Sequence, residues 1–289
     1  MNILSNQLSD FFKFEFLFFV INKSQDNIRI ISHTKNITDY PQNIYELLYK
    51  IEPNNFWFWG RNRIILTYIN HFLRNKEESR LLEIGCGTGF ALSFLEKAGF
   101  HISGLDISLN GLKFARKRSK KADLICADIT KDKLNIKFDS VCLFDVLEHI
   151  PNDILFLRSC SKLIKQNGLI FITVPADMKI WSKVDEISGH KRRYDREKII
   201  YLLKICGFTI EKISYFNFFL YFPELLSRKF HQKYSDSKNT DIVSVLSGLF
   251  NIPKIFNTIL KIPLFLESVL LKYLSFNMGG SIIVAARKK

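Results

Sequence analysis

Three glycines, Gly85, Gly87 and Gly89, alternate directly after an apolar run in the stretch LEIGCGTGF at residues 82–90. A glycine-rich loop between a strand and a helix lets a ligand approach the backbone, whose N–H groups favour negative charge. A nucleoside triphosphate would require GxxxxGK[ST], which is absent from this loop. A dinucleotide would require a small third residue where this chain has Phe90. The loop therefore fits neither phosphate-binding signature.

A second group of residues with chemical potential is Asp145-x-x-Glu148-His149. His149 is a candidate catalytic residue, because an imidazole titrates near neutral pH and could take a proton from a hydroxyl group. The alternative is a structural histidine that is hydrogen-bonded within its loop.

A third group lies in WSKVDEISGHKRRYDREK, residues 181–198. His190 is a second candidate catalytic residue, and Arg192 or Arg193 could grip a carboxylate or phosphate. The candidate substrate-binding residues of this stretch are Trp181, Asp185, Arg192, Arg193 and Tyr194. The alternative is a loop that salt bridges to Asp185 and Asp195 hold in place.

These residues must be positioned by alternating strands and helices. Strand-length apolar runs occur at RLLEIG, FHISGLD, DLICAD, FDSVCLF and GLIFITV, with helix-like stretches between most of them. FTIEKISYFN and the C-terminal SIIVAARKK add a sixth and a seventh strand. This order predicts an α/β fold, in which a doubly wound, Rossmann-like sheet of seven strands carries helices on both faces.

Helix boundaries follow from capping residues. We expect one helix from Arg61 to Leu73, and a second that Asn152 caps and Asn167-Gly168 ends. Asp195 should cap a third helix that runs to Gly207.

The chain divides by composition into four predicted segments: an N-terminal extension (1–55), the α/β core (56–216), an apolar helical insertion (217–278) and the last strand (279–289). The apolar run FFKFEFLFFVIN at 11–22 is interrupted by Lys13 and Glu15 and is too short to span a membrane. It lacks a basic leader and a cleavage site, so we expect a buried strand or a surface-lying segment rather than a signal peptide. The insertion could form a lid on the core or lie at a membrane interface.

The motif ExGxGxG at 83–89 resembles the first motif of class I S-adenosylmethionine-dependent methyltransferases. Further matches follow in the same order: Asp106 in GLDIS, Asp128 in CADIT, FDSVCLFDVLEHIPN and LIKQNGLIFITVP. The connection after the fifth strand is similar to a subgroup with the arrangement D-x-x-x-GH-x-RRY. Together these matches cover residues 80–175, with weaker similarity from about Phe56 to the end.

The resemblance implies S-adenosylmethionine as the cofactor. It places Asp106 at the ribose hydroxyls and Asp128 near the adenine amino group, with Ile129 against the ring. The implied cofactor-binding residues are Glu83, Gly85, Cys86, Gly87, Gly89, Asp106, Ile107, Asp128, Ile129 and Phe144. The chemistry agrees, because this cofactor has no phosphate and carries an ammonium that Glu83 could help bind. The alternative for each acidic residue is a solvated loop carboxylate.

The spacing Asp145-x-x-Glu148-His149 also resembles a divalent-metal site of quinone-pathway O-methyltransferases. Many relatives with a similar LEHIP sequence bind no metal, and we expect none here.

Composition and motifs limit the classes of partner that the chain is expected to bind. The 289 residues are 47% hydrophobic, and 42 basic against 28 acidic residues give a net charge of +14, which favours anionic partners. FDVLEHIP replaces the [ND]PP[YF] motif of enzymes that methylate base amines, and the basic run KFARKRSKK at 113–121 reads as a solvated helix face, so nucleic acid is disfavoured. Five scattered cysteines suit a reducing compartment. We expect a cytoplasmic protein, with peripheral membrane contact as an open alternative.

The favoured function is an O-directed methyltransferase that acts on a small-molecule or lipid-linked acceptor. A non-catalytic module that binds S-adenosylmethionine or a membrane is the alternative, and an NAD-dependent dehydrogenase is a distant third. The sequence does not fix the oligomeric state.

Overall fold

Strands and helices alternate through the core at the positions that the apolar pattern predicts. The computed structural model describes residues 22–23, 27–31, 42–232, 243, 247–248, 250 and 252–289. The strands are β1 Asn22–Lys23, β2 Ile28–Ile30, β3 Arg80–Ile84, β4 His101–Asp106, β5 Leu124–Cys126, β6 Phe138–Phe144, β7 Ile164–Pro175, β8 Phe208–Phe216 and β9 Ser281–Lys288. The α-helices are α1 Gln42–Ile51, α2 Phe56–Phe72, α3 Phe90–Lys97, α4 Leu109–Arg118, α5 Asp153–Lys162, α6 Lys183–Ile187, α7 Arg196–Ile205, α8 Phe218–Gln232 and α9 Lys254–Leu270.

The described strands form one sheet in the order β1-β2-β5-β4-β3-β6-β7-β9-β8. Strands β2 to β7 of this order are parallel, whereas β9 runs antiparallel to both of its neighbours. The predicted count of seven strands is therefore wrong, because β1 and β2 add to the edge at β5. The pairing of Ile28 with Leu124 starts a strand of three residues, too short to show a period.

Both faces of the sheet are covered, as the unbroken apolar strands predict. Along β3, Leu82 and Ile84 face a core that includes side chains of α5 and α7. Leu81, which points the opposite way, joins a second core with side chains of α2, α3 and α4. The five cysteines are free and buried within these layers.

Two of the predicted helix caps are confirmed, whereas one predicted helix end and one predicted helix start are wrong. The Asn152 side chain accepts the N–H of Leu155 at 3.0 Å, and Asp195 accepts that of Lys198 at 2.7 Å. However, α5 ends at Lys162, and Asn167 lies inside β7 with a positive φ of 62°. The left-handed residue that the sequence suggested as a helix end instead accommodates an irregularity in the β6–β7 register. Helix α2 begins at Phe56 instead of Arg61, because Asn55 caps it through the Trp57 N–H.

Helices α8 and α9 lie between β8 and β9 in the chain. Helix α9 packs closely on α2, since a Cβ atom on Gly60 would come within 2.7 Å of the Leu264 Cβ. Asn257 of α9 also accepts the Phe56 N–H at 2.6 Å. No helix among the described residues is long and apolar enough to cross a membrane. The apolar run at 11–21 and most of 233–251 lie outside the described residues.

The Glu52 carboxylate links the segment before α2 to α4 and to the glycine loop. Arg118 at the end of α4 lies 2.5 Å from the Glu52 carboxylate, and both side chains are nearly buried. Thr88 of the glycine loop donates to the same carboxylate at 2.6 Å. The Arg118 guanidinium also donates to the Tyr49 carbonyl at 2.7 Å. Burial raises the pKa of Glu52 even though the Arg118 charge lowers it.

We predict that Arg118→Met lowers the free energy of unfolding by about 3 kcal/mol near pH 8, because it leaves the Glu52 carboxylate buried and unpaired. The loss should be smaller at acidic pH. A group whose pKa is raised in the folded state contributes stability that is lost as the pH rises, and the variant raises this pKa further. Urea unfolding at both pH values measures the difference. The double variant with Glu52→Gln should regain part of the loss; an equal loss at both pH values with no regain would contradict the prediction.

Candidate functional site

The predicted site residues converge where the strand order reverses. Strand β4 and then β5 lie on one side of β3, while β6 and then β7 lie on its other side. The carboxyl ends of parallel strands at such a switch point form a crevice for ligands. The glycine loop follows β3, Asp106 ends β4, Asp128 follows β5 and Asp145 follows β6.

The glycine loop is held tightly at both ends and is open in the middle. Gly85 and Gly89 have positive φ angles of 75° and 74°. A Cβ atom would come within 2.5 Å of the Val146 Cγ2 at Gly85, and within 2.7 Å of the Ala115 Cβ at Gly89. At Gly87 a Cβ atom would meet no atom within 4 Å, so the middle of the loop faces open space. Cys86 between them is buried.

Asp106 connects the glycine loop to the next strand. Its carboxylate accepts the Gly87 N–H at 2.7 Å and the Ser108 N–H at 2.8 Å, and the residue is buried. Ile107, by contrast, is 44% exposed beside it. This arrangement orients the loop backbone and offers an apolar side chain to a ligand.

Asp128 is half-buried at the end of β5. Its carboxylate accepts the N–H and the hydroxyl of Thr130, at 3.0 and 2.6 Å, and pairs with Lys131 at 3.1 Å. Burial alone would raise the pKa of Asp128, but these contacts hold it below its usual value. Ile129 next to it is buried.

Glu83 is a buried carboxyl group at the end of β3, and its Oε2 atom has no hydrogen-bond partner among the described residues. Burial raises its pKa to about 8, against the lowering effect of the Arg61 charge. The group is therefore mostly protonated at neutral pH, and a cation brought to it would favour its ionised form.

Arg61 lies between this carboxyl group and the loop after β6. Its Nε atom is 2.6 Å from Asp145 Oδ2. The two groups form an ion pair but no hydrogen bond, because the Nε–H bond is not directed at the oxygen. Its Nη2 donates to the Phe144 carbonyl at 3.1 Å. Thr173 donates to the other Asp145 oxygen at 3.0 Å, and Asp145 itself has a positive φ of 56°.

The two candidate catalytic histidines meet although they are 41 residues apart. The rings of His149 and His190 are 4.8 Å apart, edge to face. Burial, with the neighbouring His190 as a lesser cause, lowers the pKa of His149 to about 4, so its imidazole is neutral at neutral pH. The buried Glu148 has a carboxyl oxygen 4.0 Å from His190 Nε2, and burial holds the pKa of Glu148 well above its usual range.

Asp185 fixes the orientation of the His190 ring through a contact with Nδ1. Its carboxylate lies 2.9 Å from His190 Nδ1 and accepts the Ser182 N–H at 2.8 Å. Burial alone would raise the pKa of Asp185, but the His190 contact and the Arg193 charge hold it well below its usual range. An ionised carboxylate can only accept, so His190 carries a proton on Nδ1 and presents Nε2 toward Glu148.

The remaining predicted substrate residues lie in internal contacts. Arg193 is buried and forms two hydrogen bonds with Asp185, at 2.9 and 3.1 Å. Arg192 pairs with Asp153 at 2.8 Å, and the buried Tyr194 hydroxyl contacts the same carboxylate at 3.2 Å. These partners occupy both guanidinium groups and favour the alternative of a salt-bridged loop. The predicted bridge to Asp195 is replaced by one to Asp153.

Trp181 is half-buried at the start of this loop, and its indole N–H donates to Glu186 at 3.3 Å. Of the two aromatic residues predicted to bind substrate, Trp181 is the one that is not buried, since Tyr194 is 1% exposed.

Glu148, His149 and His190 each offer one ligand atom, all within 4.8 Å of one another. Three such donors could hold a cation. The sequence showed a resemblance to a metal site at Asp145, Glu148 and His149, although we expected no metal there, and nothing in the spacing pointed to His190 as a third donor. Sequence reasoning also missed Glu52 and Arg118, for which no spacing signal exists.

The glycine loop therefore offers open backbone to a ligand, and the His149–His190 pair offers imidazole nitrogens that could accept a proton. Arg61 connects the two parts, since its charge lowers the pKa of both Glu83 and Glu148.

Comparison with known proteins agrees with this geometry. The family model of a methyltransferase domain matches residues 58–213, more than half of the chain. Two curated relatives are named ubiquinone biosynthesis O-methyltransferase. The one from Histophilus somni is 29% identical over 130 residues, covering 41% of this chain and 55% of its own. The one from Glaesserella parasuis is 32% identical over 122 residues, covering 39% and 52%. The chain thus spans about half the length of the curated relatives it matches.

Solved structures show the same fold. The phosphoethanolamine N-methyltransferase 2 of Haemonchus contortus in complex with S-adenosyl-L-methionine matches with a TM-score of 0.55 and 21% identity, over 87% of this chain and 58% of that one. The magnesium protoporphyrin IX methyltransferase of Synechocystis PCC 6803 with bound SAH matches with a TM-score of 0.53 and 14% identity, over 86% and 94%. Such identities establish the fold alone. The match of the family model over 58–213, more than half of the chain, places the chain in the methyltransferase domain family.

Proposed function

We propose that the chain is an S-adenosylmethionine-dependent methyltransferase that acts on an oxygen atom of a small apolar or lipid-type acceptor. The observation that carries the proposal is the glycine loop, whose backbone is bonded to the buried Asp106 and whose middle is open at Gly87. A carboxylate has about four acceptor positions, so holding the loop and accepting ribose hydroxyls are compatible.

The cofactor would lie along the strand ends in the order that the motif predicts. Glu83 would contribute to binding the ammonium, Asp106 the ribose, and Asp128 with Ile129 the adenine. Ile107 is exposed enough to contact the ring system. Phe144 would contribute through its backbone, which already orients Arg61.

Methyl transfer from the sulfonium needs mainly a well-placed nucleophile, and a general base adds about 10²–10⁴ in rate. We assign that base to His190, whose Nε2 would take the proton of the acceptor hydroxyl. The oxygen would bond to the methyl carbon as the methyl–sulfur bond breaks and S-adenosylhomocysteine leaves. Asp185 would stabilise the imidazolium that forms. His149, neutral at neutral pH, would contact the acceptor or the base rather than carry a charge.

The apolar acceptor rests on two supports. The curated relatives named above act, by their names, as O-methyltransferases in ubiquinone biosynthesis. Helices α8 and α9, which we propose form a lid, are apolar, and α8 lies next to the site: the Tyr221 hydroxyl of α8 donates to Asp177, shortly after β7.

The basic run on α4 gives little support to a nucleic-acid acceptor. Arg116 donates to the Ser119 and Ala122 carbonyls, and Arg118 pairs with Glu52. Lys113 and Lys117 lie on the exposed face of the helix. The arginines are thus bonded within the chain and the lysines face solvent, which fits a solvated helix face.

The proposal is tested by transfer of a labelled methyl group from S-adenosylmethionine to a phenol with an apolar side chain, compared with sugars, nucleosides and RNA. We expect product from the phenol alone. His190→Asn should lower kcat by about 10²–10⁴ with unchanged cofactor binding, and Asp185→Asn should lower it less and change the pH profile.

Treatment with EDTA is the control for a bound cation at Glu148, His149 and His190, and activity should survive it. Cofactor binding without turnover of any acceptor would favour the non-catalytic module, and transfer to polar acceptors alone would contradict the apolar assignment.

We also predict a pH dependence of cofactor binding. Because Glu83 has a pKa of about 8 and the bound ammonium favours its ionised form, binding must expel a proton below that pH. The association constant should therefore rise by up to about tenfold per pH unit between about pH 6 and pH 8, and then level off.

Titration of S-adenosylhomocysteine into the natural chain and into Glu83→Gln measures this effect. The difference between them removes the titration of the ligand's own amino group. Identical pH profiles would exclude Glu83 from the ammonium site.

A further inference from the structure

The outward face of α9 is apolar. Ile255, Ile259, Ile262 and Leu266 follow one another at intervals of four, three and four residues, which places them on one face of the helix. These four side chains, with Phe256 and Phe265, are each at least 43% exposed. Tyr273 and Leu274 continue the surface beyond the end of the helix, at 81% and 52% exposed.

The opposite face of α9 fixes this orientation. Leu264 and Glu267 are fully buried, and Leu264 packs against Gly60 of α2. Glu267 accepts the Phe218 N–H at the start of α8, at 3.1 Å. Since one face is committed to the core, the exposed stripe cannot turn inward without breaking these contacts.

Helix α8 extends the apolar surface. Phe219, Phe222 and Leu226 recur at intervals of three and four residues and are 41%, 52% and 58% exposed. The two helices are in contact, and α8 also touches the turn at 178–180 after β7. The surface therefore adjoins the crevice at the carboxyl ends of the strands.

The charge on the α9 part of this surface is positive. Residues 252–274 contain three lysines, of which Lys254 and Lys272 are exposed, and their single acidic residue, Glu267, is buried. The whole chain carries +14. On α9, the apolar stripe has basic residues beside it and no exposed acid among the described residues. This combination matches the interface of an anionic bilayer, where apolar side chains enter the headgroup boundary and lysines meet lipid phosphates.

We propose that α8 and α9 form a docking surface for an anionic lipid bilayer. Docking would bring the crevice close to acceptors dissolved in the membrane. This role in acceptor binding rests on the proposed function. The docking itself requires no catalysis.

The test is cosedimentation of the full chain with vesicles of phosphatidylcholine alone or mixed with phosphatidylglycerol. We expect binding to the anionic vesicles that weakens with salt, and much less binding to the neutral ones. The double variant Ile259→Glu/Ile262→Glu should bind at least about tenfold more weakly, because it removes two apolar side chains from the stripe and adds negative charge. Ile255→Glu provides an independent single variant.

Leu155→Glu and Tyr201→Glu are matched controls. Both residues are more than half exposed, on α5 and α7, which cover the other face of the sheet. They should bind vesicles as the natural chain does. Equal binding by control and stripe variants would overturn the proposal, and so would the absence of any vesicle binding.

Gel filtration tests whether a second copy of the chain, instead of a bilayer, covers this surface. A dimer of the natural chain that the stripe variants convert to a monomer, without vesicle binding, would assign the surface to a second copy and contradict the proposal. Titration of S-adenosylhomocysteine in the same samples separates this failure from a failure of the proposed function, because ligand binding does not require the stripe.

Discussion

The carboxylate of Asp106 is the point on which the site depends. It accepts an N–H from Gly87 in the loop after β3 and another from Ser108 after β4, so two neighbouring strand ends share one buried anion. The glycines make this possible, because the Gly85 and Gly89 backbone lies too close to Val146 and Ala115 for any side chain. The loop is thus held in shape before a ligand arrives, and less of the binding free energy is spent on ordering it.

Arg61 links the glycine-loop side of the site to the loop after β6. It is a buried cation on α2, before β3, and it contacts Asp145 and the Phe144 carbonyl. Its charge acts on the buried Glu83 and on the buried Glu148, both of which burial pushes toward the neutral form. One guanidinium group therefore favours the ionised form of both buried carboxyl groups.

The sequence was a good guide where the signal is local. The strand ends at Ile84 and Asp106 and the cap at Asn152 follow from short patterns, and the structure confirms them. It was a poor guide where distant residues decide. The pairing of Arg118 with Glu52 joins residues 66 positions apart, and β2 becomes a strand only because the edge at β5 accepts it. Asn167 shows a third limit, since the same left-handed preference serves a helix end and an irregular strand equally well. The sequence also suggested a salt bridge to Asp195, whereas the loop path brings Arg192 to Asp153 instead, which spacing does not reveal.

Isothermal titration of S-adenosylhomocysteine is the most direct test that Asp106 organises a site for an adenosyl amino acid. The natural chain should bind one equivalent, and Asp106→Asn should bind at least about tenfold more weakly, because it loses hydrogen bonds to a charged acceptor. Asp123→Asn, at an exposed carboxylate before β5, is the matched control and should bind normally. Absence of binding to the natural chain, or equal binding by Asp106→Asn, would contradict the account.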